Sequence, residues 1–314
     1  MASPSYTFTG GAQPADFTPT SVSELGGMLG KVAEQIIREV VAEDRLSVFD
    51  KMPVNNGDTI EQTIVKLASA RAYDSTGANA LSRKTPSLAV RYFNDWTRAV
   101  FDTTVDISLI RKVLTSGKGA EELSSKIVSV LGESDKFEKY SQMKNLLKWA
   151  RQDQSGKVLK LAGTVAYGTT GIDYKGVLTA LKNVVSGMQF VNDDFNTGSI
   201  KRKTLAEDIF ILMPYKLKNM LDVEELAGVF NLDKAELKSK IIEIDVDVEE
   251  ISSKDTYPIY VVDRNAVLSY TRLYEMADQK NADGLFWNYF LHTERLYGIS
   301  PLFDGCYILV KAEE

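Results

Sequence analysis

The sequence predicts an α+β fold, with strands in the last quarter of the chain and helices in its middle. Apolar and acidic residues alternate over 242–249, which is typical of a strand with one solvent-facing side. The apolar run over 258–265 predicts a more buried strand, and a further apolar run over 306–310 closes the chain. Between residues 107 and 192, apolar residues instead recur at helical spacing.

Composition limits the possible functions of the protein. At 314 residues, 44% hydrophobic and 25% charged, the chain is long enough for one large or two medium globular domains. Its net charge of −6 excludes an overall basic surface for binding nucleic acid. Cys306 is the sole cysteine, which excludes an internal disulfide framework and predicts a buried thiol. No apolar run approaches the ~20 residues that span a bilayer and no signal peptide is evident, so we expect an intracellular protein.

The N-terminal region is predicted to form an arm and a helix. Residues 1–20 are rich in Ser, Thr, Gly and Pro, which is typical of an extended segment without a core of its own. Phe8 and Phe17 suggest that this arm docks on another surface. Residues 23–43 keep helical spacing and predict one amphipathic helix.

The next region predicts a long hairpin. Residues 59–67 and 87–106 have strand-like patterns, and small, polar and basic residues fill 68–86 between them. Because so long a connection is unusual within a compact domain, we expect the hairpin to project and to be stabilised by a neighbouring subunit. Its basic residues are either solvated or dock on an acidic neighbour; they include Arg71, Arg83 and Lys84.

The remaining patterns predict further elements. Helical spacing predicts helices over 121–130, 134–149, 173–189, 215–221 and 266–280. Glycine and threonine predict a loop over 163–171, and an apolar run predicts a strand over 208–214.

No residue pattern predicts catalysis, a cofactor or a metal site. His292 is the only histidine and is more typical of a packed residue than of a catalytic one. The acidic residues of 245–250 alternate on a strand and lack the spacing of a calcium loop. Glu294 and the pair 193–194 are acid–base candidates that nothing in the sequence connects. The basic cluster 201–203 favours a surface turn over a nucleic-acid contact.

Two stretches carry a family resemblance, namely Asp263-Arg264-Asn265-Ala266 and Gly284-Leu285-Phe286-Trp287-Asn288-Tyr289-Phe290-Leu291-His292. Together with the segment 270–276, they resemble the C-terminal region of major capsid proteins from phages of Gram-positive bacteria. Those proteins are similar to the HK97-type capsid fold, and the order of predicted elements agrees with that fold over most of the chain.

The resemblance implies a division of the chain into five regions. They are an N-terminal arm and helix at 1–51, an E-loop hairpin at 52–106, a P-domain at 107–214, an A-domain at 215–296 and a C-terminal strand returning to the P-domain at 297–314. The spine helix of the P-domain would lie at either 134–150 or 173–189.

The resemblance also implies a structural protein, not an enzyme, without cofactor or membrane partner. It would self-assemble as pentamers and hexamers into an icosahedral head that encloses double-stranded DNA without sequence-specific contacts. Assembly would take place in the host cytoplasm with a separate scaffold protein, and the virion would allow portal and head-decoration proteins as partners. The candidate inter-subunit contacts are Phe8, Phe17, Arg71, Arg83 and Lys84.

Two alternatives stay open at this point. An encapsulin-like nanocompartment resembles the same fold but encloses a cargo enzyme. A soluble α+β enzyme that acts through its carboxylates belongs to a different class, and it would remain monomeric.

Overall fold

The computed structural model describes residues 41–55, 57–73, 75–76, 82–106, 117–152, 158–168, 171–172, 174–220, 240–245 and 256–312. These residues divide into two compact units. The smaller unit contains the described residues of 102–130 and 278–289, and the larger unit contains those of 41–101, 131–277 and 290–312.

The described chain mixes helices and strands, as predicted. The strands are β1 (Ile60–Val65), β2 (Leu88–Phe93), β3 (Trp96–Val105), β4 (Lys160–Gly168), β5 (Gly171–Ile172), β6 (Ile209–Pro214), β7 (Ile241–Ile244), β8 (Thr256–Asp263), β9 (Val267–Lys280), β10 (Trp287–Ile299) and β11 (Gly305–Ala312). The α-helices are α1 (Gly117–Gln152), α2 (Tyr174–Met188) and α3 (Tyr215–Met220), and single 3-10 turns lie at Ser47–Phe49 and Ala206–Asp208.

The core of the larger unit is a mixed sheet with the strand order β5-β4-β11-β8-β6-β7. Strand β11 is parallel to β4 and antiparallel to β8, and β6 is parallel to β7 and antiparallel to β8. Helices cover both faces of the sheet, so its inner strands are apolar on both sides. Strands β6, β8 and β11 confirm the strands predicted over 208–214, 258–265 and 306–310, and β7 confirms the start of the one predicted over 242–249.

Helix α2 packs on one face of this sheet. Its buried side chains recur every three or four residues and therefore share one side of the helix; they are Val177, Leu181, Val184, Val185 and Met188. They form an apolar cluster with alternate strand residues such as Ile211, Val261 and Ile308. The helix predicted over 173–189 is confirmed, and the helix predicted over 215–221 is confirmed by α3.

Helix α1 covers the opposite face of the sheet with Met143, Leu147 and Ala150. Its 36 residues correspond to a length of about 54 Å. The sequence predicted two helices, over 121–130 and 134–149, but the chain stays helical through Gly132. A glycine inside a helix costs only about 1 kcal/mol, and burial of the apolar side of α1 outweighs that cost.

A second sheet has the strand order β3-β10-β9. The helix predicted over 266–280 is wrong, because this segment forms β9. Its apolar residues fit either periodicity over a short window, and pairing with β10 decides between them. Val267 and Leu268 are buried in succession, as in a strand that is covered on both sides.

The loop predicted over 163–171 is also wrong, because most of it belongs to β4. Strand β4 pairs in parallel with β11 from Lys160 to Tyr167, and Gly168 pairs with Gly171 of β5. The glycines do not end the strand, since neighbouring strands satisfy its backbone hydrogen bonds.

The helix predicted over 23–43 lies outside the described residues up to residue 40, and residues 41–43 are not helical. There the backbone N–H of Ala42 donates to Glu133 Oε2 at 2.6 Å. Lys139 of α1 forms ion pairs with Asp44 and Asp50. These contacts hold the segment along α1 and replace the hydrogen bonds of a helix.

Strands β1 and β2 form an antiparallel hairpin, as predicted. The second predicted strand, over 87–106, is divided into β2 and β3, which belong to different sheets. The division falls at Asn94 and Asp95, two residue types that disfavour strands.

Candidate functional site: the β1–β2 hairpin and the charged interior

The connection between β1 and β2 carries the three basic candidate residues. The side chains of Arg71, Arg83 and Lys84 are exposed. Phe8 and Phe17 lie outside the described residues. Three of the five candidates therefore lie on one exposed segment, and their docking on a neighbour stays a prediction.

One face of the hairpin exposes four apolar side chains to solvent, beside the polar residues Glu61 and Thr63. Val65 pairs with Leu88, and Val90 and Tyr92 follow at alternate positions of β2, so the four side chains share one face. Their exposed fractions are 65, 53, 41 and 62% in that order. A two-stranded hairpin is marginally stable by itself, and contiguous exposed apolar surface marks contact sites. This apolar hairpin face is therefore a candidate contact surface for another protein chain.

Glu294 connects the strands of the second sheet. It lies on β10, is 5% exposed, and accepts hydrogen bonds from Arg272 on β9 and from Arg98 on β3. The Arg272 guanidinium also lies 4.5 Å from the ring centre of Trp96. The hydrogen bond from Arg272 lowers the pKa of Glu294 against a smaller opposing effect of burial. Glu294 is thus an anion that holds strands together, and its pKa does not suit an acid–base catalyst at neutral pH.

We expect Glu294→Gln to lower stability at neutral pH and to make the loss of stability in acid shallower. A carboxylate whose pKa is lowered by folding stabilises the fold above its unfolded pKa, about 4.3 for glutamate. That contribution is lost as the pH falls through the folded pKa, and glutamine has no such contribution to lose. Urea unfolding between about pH 7 and about pH 3 measures the difference. Parallel stability curves for the two proteins would contradict the assignment.

A buried ion pair joins β10 to α1. Asp135 is 4% exposed and Arg295 is 8% exposed. The two guanidinium Nη atoms of Arg295 donate to the two carboxylate oxygens of Asp135, with a distance of 2.7 Å from Nη2 to Oδ2. Burial raises the pKa of the adjacent Tyr297 to about 12. The ion pair therefore lies in an environment with little water, where an unpaired charge is costly.

Two buried aspartates, Asp263 and Asp304, form a second polar cluster. Arg202 Nη2 donates to Asp263 at 2.8 Å, and the hydroxyl of Thr204 donates to Asp304 at 2.7 Å. Asn196 Nδ2 donates to Asp304 at 3.0 Å. Burial raises the pKa of Asp263, although Arg202 opposes this effect. The cluster fastens the segment that contains Arg202 and Thr204 to the ends of β8 and β11.

Clefts of about 480 and 630 Å³ adjoin Arg45 and Glu243. Glu243 accepts hydrogen bonds from Arg45 and Lys218, and the bond from Lys218 lowers its pKa. Burial acts to raise the pKa of Asp245, but hydrogen bonds from Lys144 and Tyr140 outweigh burial, so the pKa of Asp245 is lowered. A general acid or base needs a pKa near the working pH. These ion-paired carboxylates therefore give no support to the soluble-enzyme alternative.

The single cysteine is buried, and the single histidine is half-buried beside an aromatic ring. Cys306 is buried and burial raises its pKa, which confirms the predicted buried thiol. The ring of His292 lies 6.4 Å from that of Phe290. Within the described ranges, no group of three or more metal-ligating side chains is placed to hold a metal ion. None of the described helices is both long and apolar enough to cross a bilayer.

Sequence reasoning missed the two buried polar clusters. The surface turn predicted at 201–203 is wrong, because Arg202 forms an antiparallel β-bridge with Asn192. Its side chain is only 18% exposed and reaches Asp263. The one available signal was the charged pair Glu294-Arg295 between Leu291 and Leu296, because a charged pair in an apolar strand would need a partner once buried. Its partner Asp135 is 160 positions away along the chain, and no sequence pattern identifies it.

Comparisons with known proteins agree with one another. A family model described as Phi29-like phage major capsid protein matches residues 19–309. The major capsid protein of Bacillus phage GA-1 is 23% identical over 289 residues, covering 91% of this chain and 58% of that protein. The major capsid protein of Streptococcus phage Cp-1 is 21% identical over 308 residues, covering 92% and 83%. The chain spans about three fifths of the length of the matched Bacillus phage relatives.

Solved structures show a shared fold. A chain from the capsid structure of Staphylococcus phage Andhra superposes with a TM-score of 0.72 at 13% identity, covering 90% of this chain and 88% of that one.

Proposed function

Because this chain belongs to the Phi29-like phage major capsid protein family, we propose that it is the structural subunit of an icosahedral phage head. Copies associate as pentamers and hexamers into a closed shell around double-stranded DNA, and the protein acts in the virion by shape and association. The apolar hairpin face carries this proposal, since it leaves a two-stranded element without a core of its own. The comparisons favour neither the nanocompartment nor the soluble enzyme.

The proposed arrangement of the chain is that of an HK97-type subunit. An arm and helix at 1–51 and an E-loop at 52–106 overlap neighbours, a P-domain at 107–214 contains α1 as its spine helix, and an A-domain at 215–296 meets other copies at the symmetry axes. Residues 297–314 return to the P-domain. Support comes from the 36-residue length of α1, the β1–β2 hairpin and the fold shared with the Andhra capsid chain.

Partners other than the chain itself follow from the same proposal. A separate scaffold protein assists assembly in the host cytoplasm, and portal and head-decoration proteins join the completed head. The packaged DNA is held without sequence-specific contacts. The net charge of −6 supports a container, because a strongly basic wall would bind the genome.

Self-assembly is the direct test of this function. We expect the purified chain to form closed particles as its concentration rises, alone or with a scaffold protein from a related phage. Light scattering detects the particles, and negative-stain electron microscopy shows whether they are closed shells. A chain that stays monomeric under all salt and scaffold conditions would contradict the proposal.

A matched pair of variants tests the hairpin face. The double variant Val90→Asp, Tyr92→Asp should stay folded and should not assemble. We expect it to lower the free energy of unfolding by about 1–2 kcal/mol, because aspartate disfavours strands and position 92 pairs with Glu61. Arg91 lies between these positions on the opposite face, so Arg91→Asp is the control and should assemble. Equal loss of assembly in both proteins would show that the apolar face is not the contact.

A further inference from the structure

The β1–β2 hairpin is buried at its root and exposed at its far end. At the root, Ile60 pairs with Phe93 and is only 9% exposed. At the far end, Val65 pairs with Leu88, and these side chains are 65 and 53% exposed. The hairpin is therefore attached to its own subunit at one end, and the apolar residues at the other end remain uncovered.

The root of the hairpin packs on the second sheet. Ile60 forms an apolar cluster with Leu268 of β9 and Leu296 of β10, and Phe93 packs against this cluster. A Cβ built at Gly298 of β10 would lie 3.4 Å from the Phe93 ring, which is ordinary contact. A methyl group at position 298 therefore fits beneath the ring. A stiff, β-branched side chain has two further carbons there and would have to displace the ring.

Polar contacts hold both strands of the hairpin at the same root. In β1, Gln62 Nε2 donates to the carbonyl of Asn265 at 3.3 Å. After β2, the ring of Trp96 lies against the guanidinium of Arg272, which is itself held by Glu294. The chain thus enters β1 and leaves β2 beside groups that are fixed in the sheet.

We propose that the seating of Phe93 on Gly298 fixes the direction in which the hairpin leaves its subunit, and that assembly requires this direction. Gly298 is then a positioning residue for the contact between copies, and this inference rests on the proposed function. A surface that is already held in its binding orientation loses less conformational entropy on association than a flexible surface does. A tilt of about 10° over the hairpin length of ~20 Å moves its far end by about 3 Å. Such a shift separates atoms that would otherwise be in van der Waals contact.

Three substitutions separate the direction of the hairpin from the stability of the subunit. Gly298→Ala fits beneath the ring and should assemble like the unmodified protein. Gly298→Val should displace the ring, lower the Tm by roughly 3–8 °C and raise the concentration of unassembled subunits about tenfold or more. Val185→Ala lies in the apolar cluster beneath α2, so it should lower the Tm by a similar amount and still assemble at temperatures well below that Tm.

A distance measurement in free subunits reports the direction of the hairpin. The native thiol of Cys306 is fully buried, so spin labels attach to cysteines introduced at exposed positions. Lys66→Cys places one label just beyond the far end of β1, and Lys175→Cys places the other on α2. Pulsed electron paramagnetic resonance should give the same distance with glycine or alanine at position 298. With Gly298→Val, the distance should shift by about 3 Å or its distribution should broaden.

The outcomes distinguish this inference from the proposed function. If the unmodified chain never assembles, the proposed function fails and the inference fails with it. If the unmodified chain assembles, the inference is overturned when Gly298→Val assembles equally well or leaves the distance unchanged, or when Val185→Ala loses assembly to the same extent. The shell function stands in each of these cases. A changed distance with loss of assembly in Gly298→Val alone supports the inference.

Phe93→Ala keeps the test decisive if Gly298→Val does not fold. It removes the ring from the same seat without adding volume, so it should broaden the distance distribution and raise the concentration of unassembled subunits. An unchanged distance or unimpaired assembly for Phe93→Ala would overturn the inference.

Discussion

Replacing Asp135 with alanine is expected to lower the free energy of unfolding by about 3–5 kcal/mol. The substitution leaves the guanidinium of Arg295 buried between α1 and β10 without its two-pronged partner. For a chain of this size, the loss corresponds to a fall in Tm of roughly 10 °C. Thermal and urea unfolding of the free subunit measure it, and assembly yield should fall as the folded population falls.

Two further variants test the cause of that effect. Lys136 is the next residue of α1, and its ion pair with Glu133 is half-exposed, so Lys136→Ala should cost less than about 1 kcal/mol. The double variant Asp135→Leu, Arg295→Met replaces the buried pair by apolar side chains and should recover most of the stability. A change within about 1 kcal/mol for Asp135→Ala would show that water reaches Arg295 after all.

Replacing Arg71, Arg83 and Lys84 together with glutamate is expected to prevent assembly and to leave the subunit folded. All three side chains are exposed in the β1–β2 connection, and the protein as a whole is acidic. If the connection lies over a neighbour's acidic surface, each ion pair contributes about 0–1 kcal/mol, so one pair matters little. The sum over a closed shell matters, and it weakens as salt rises. Particle yield against salt concentration measures this dependence.

A charge-conserving variant and trypsin cleavage provide the controls. Arg71→Lys, Arg83→Lys, Lys84→Arg keeps every positive charge and should assemble. Trypsin should cut free subunits after Arg71 or Arg83 and should cut assembled particles far more slowly. Equal cleavage rates in the two states would show that the connection never docks, and the assignment of 52–106 as an E-loop would then be wrong.

The family resemblance drawn from the C-terminal motifs is confirmed by the family model and by the curated relatives from phages of Gram-positive bacteria. That resemblance came from short stretches such as 263–266 and 284–292, whereas the proposed shell function depends on no catalytic motif. A shell protein acts through its contact surfaces, and such surfaces are harder to recognise in a single sequence than a metal site or a catalytic nucleophile.

The sequence by itself determined the elements whose environment is uniform along their length. Helix α2 was predictable because one side of it is buried and the other is exposed to solvent. Its apolar residues therefore recur with a clear helical period. Strands β6 and β8 were predictable because helices cover both of their faces, which produces short continuous apolar runs. The β1–β2 hairpin was predictable from the strand-like patterns on either side of a polar connection.

Only the tertiary structure decided the elements and contacts that depend on distant partners. Strand β9 has an apolar pattern compatible with a helix, and its pairing in the second sheet selects the strand. Strand β4 tolerates its glycines because β11 satisfies its backbone. The contact of Asp135 with Arg295 joins residues 160 positions apart. Local periodicity shows which side of a helix or strand is buried. Which residues contact that side depends on how the whole chain folds.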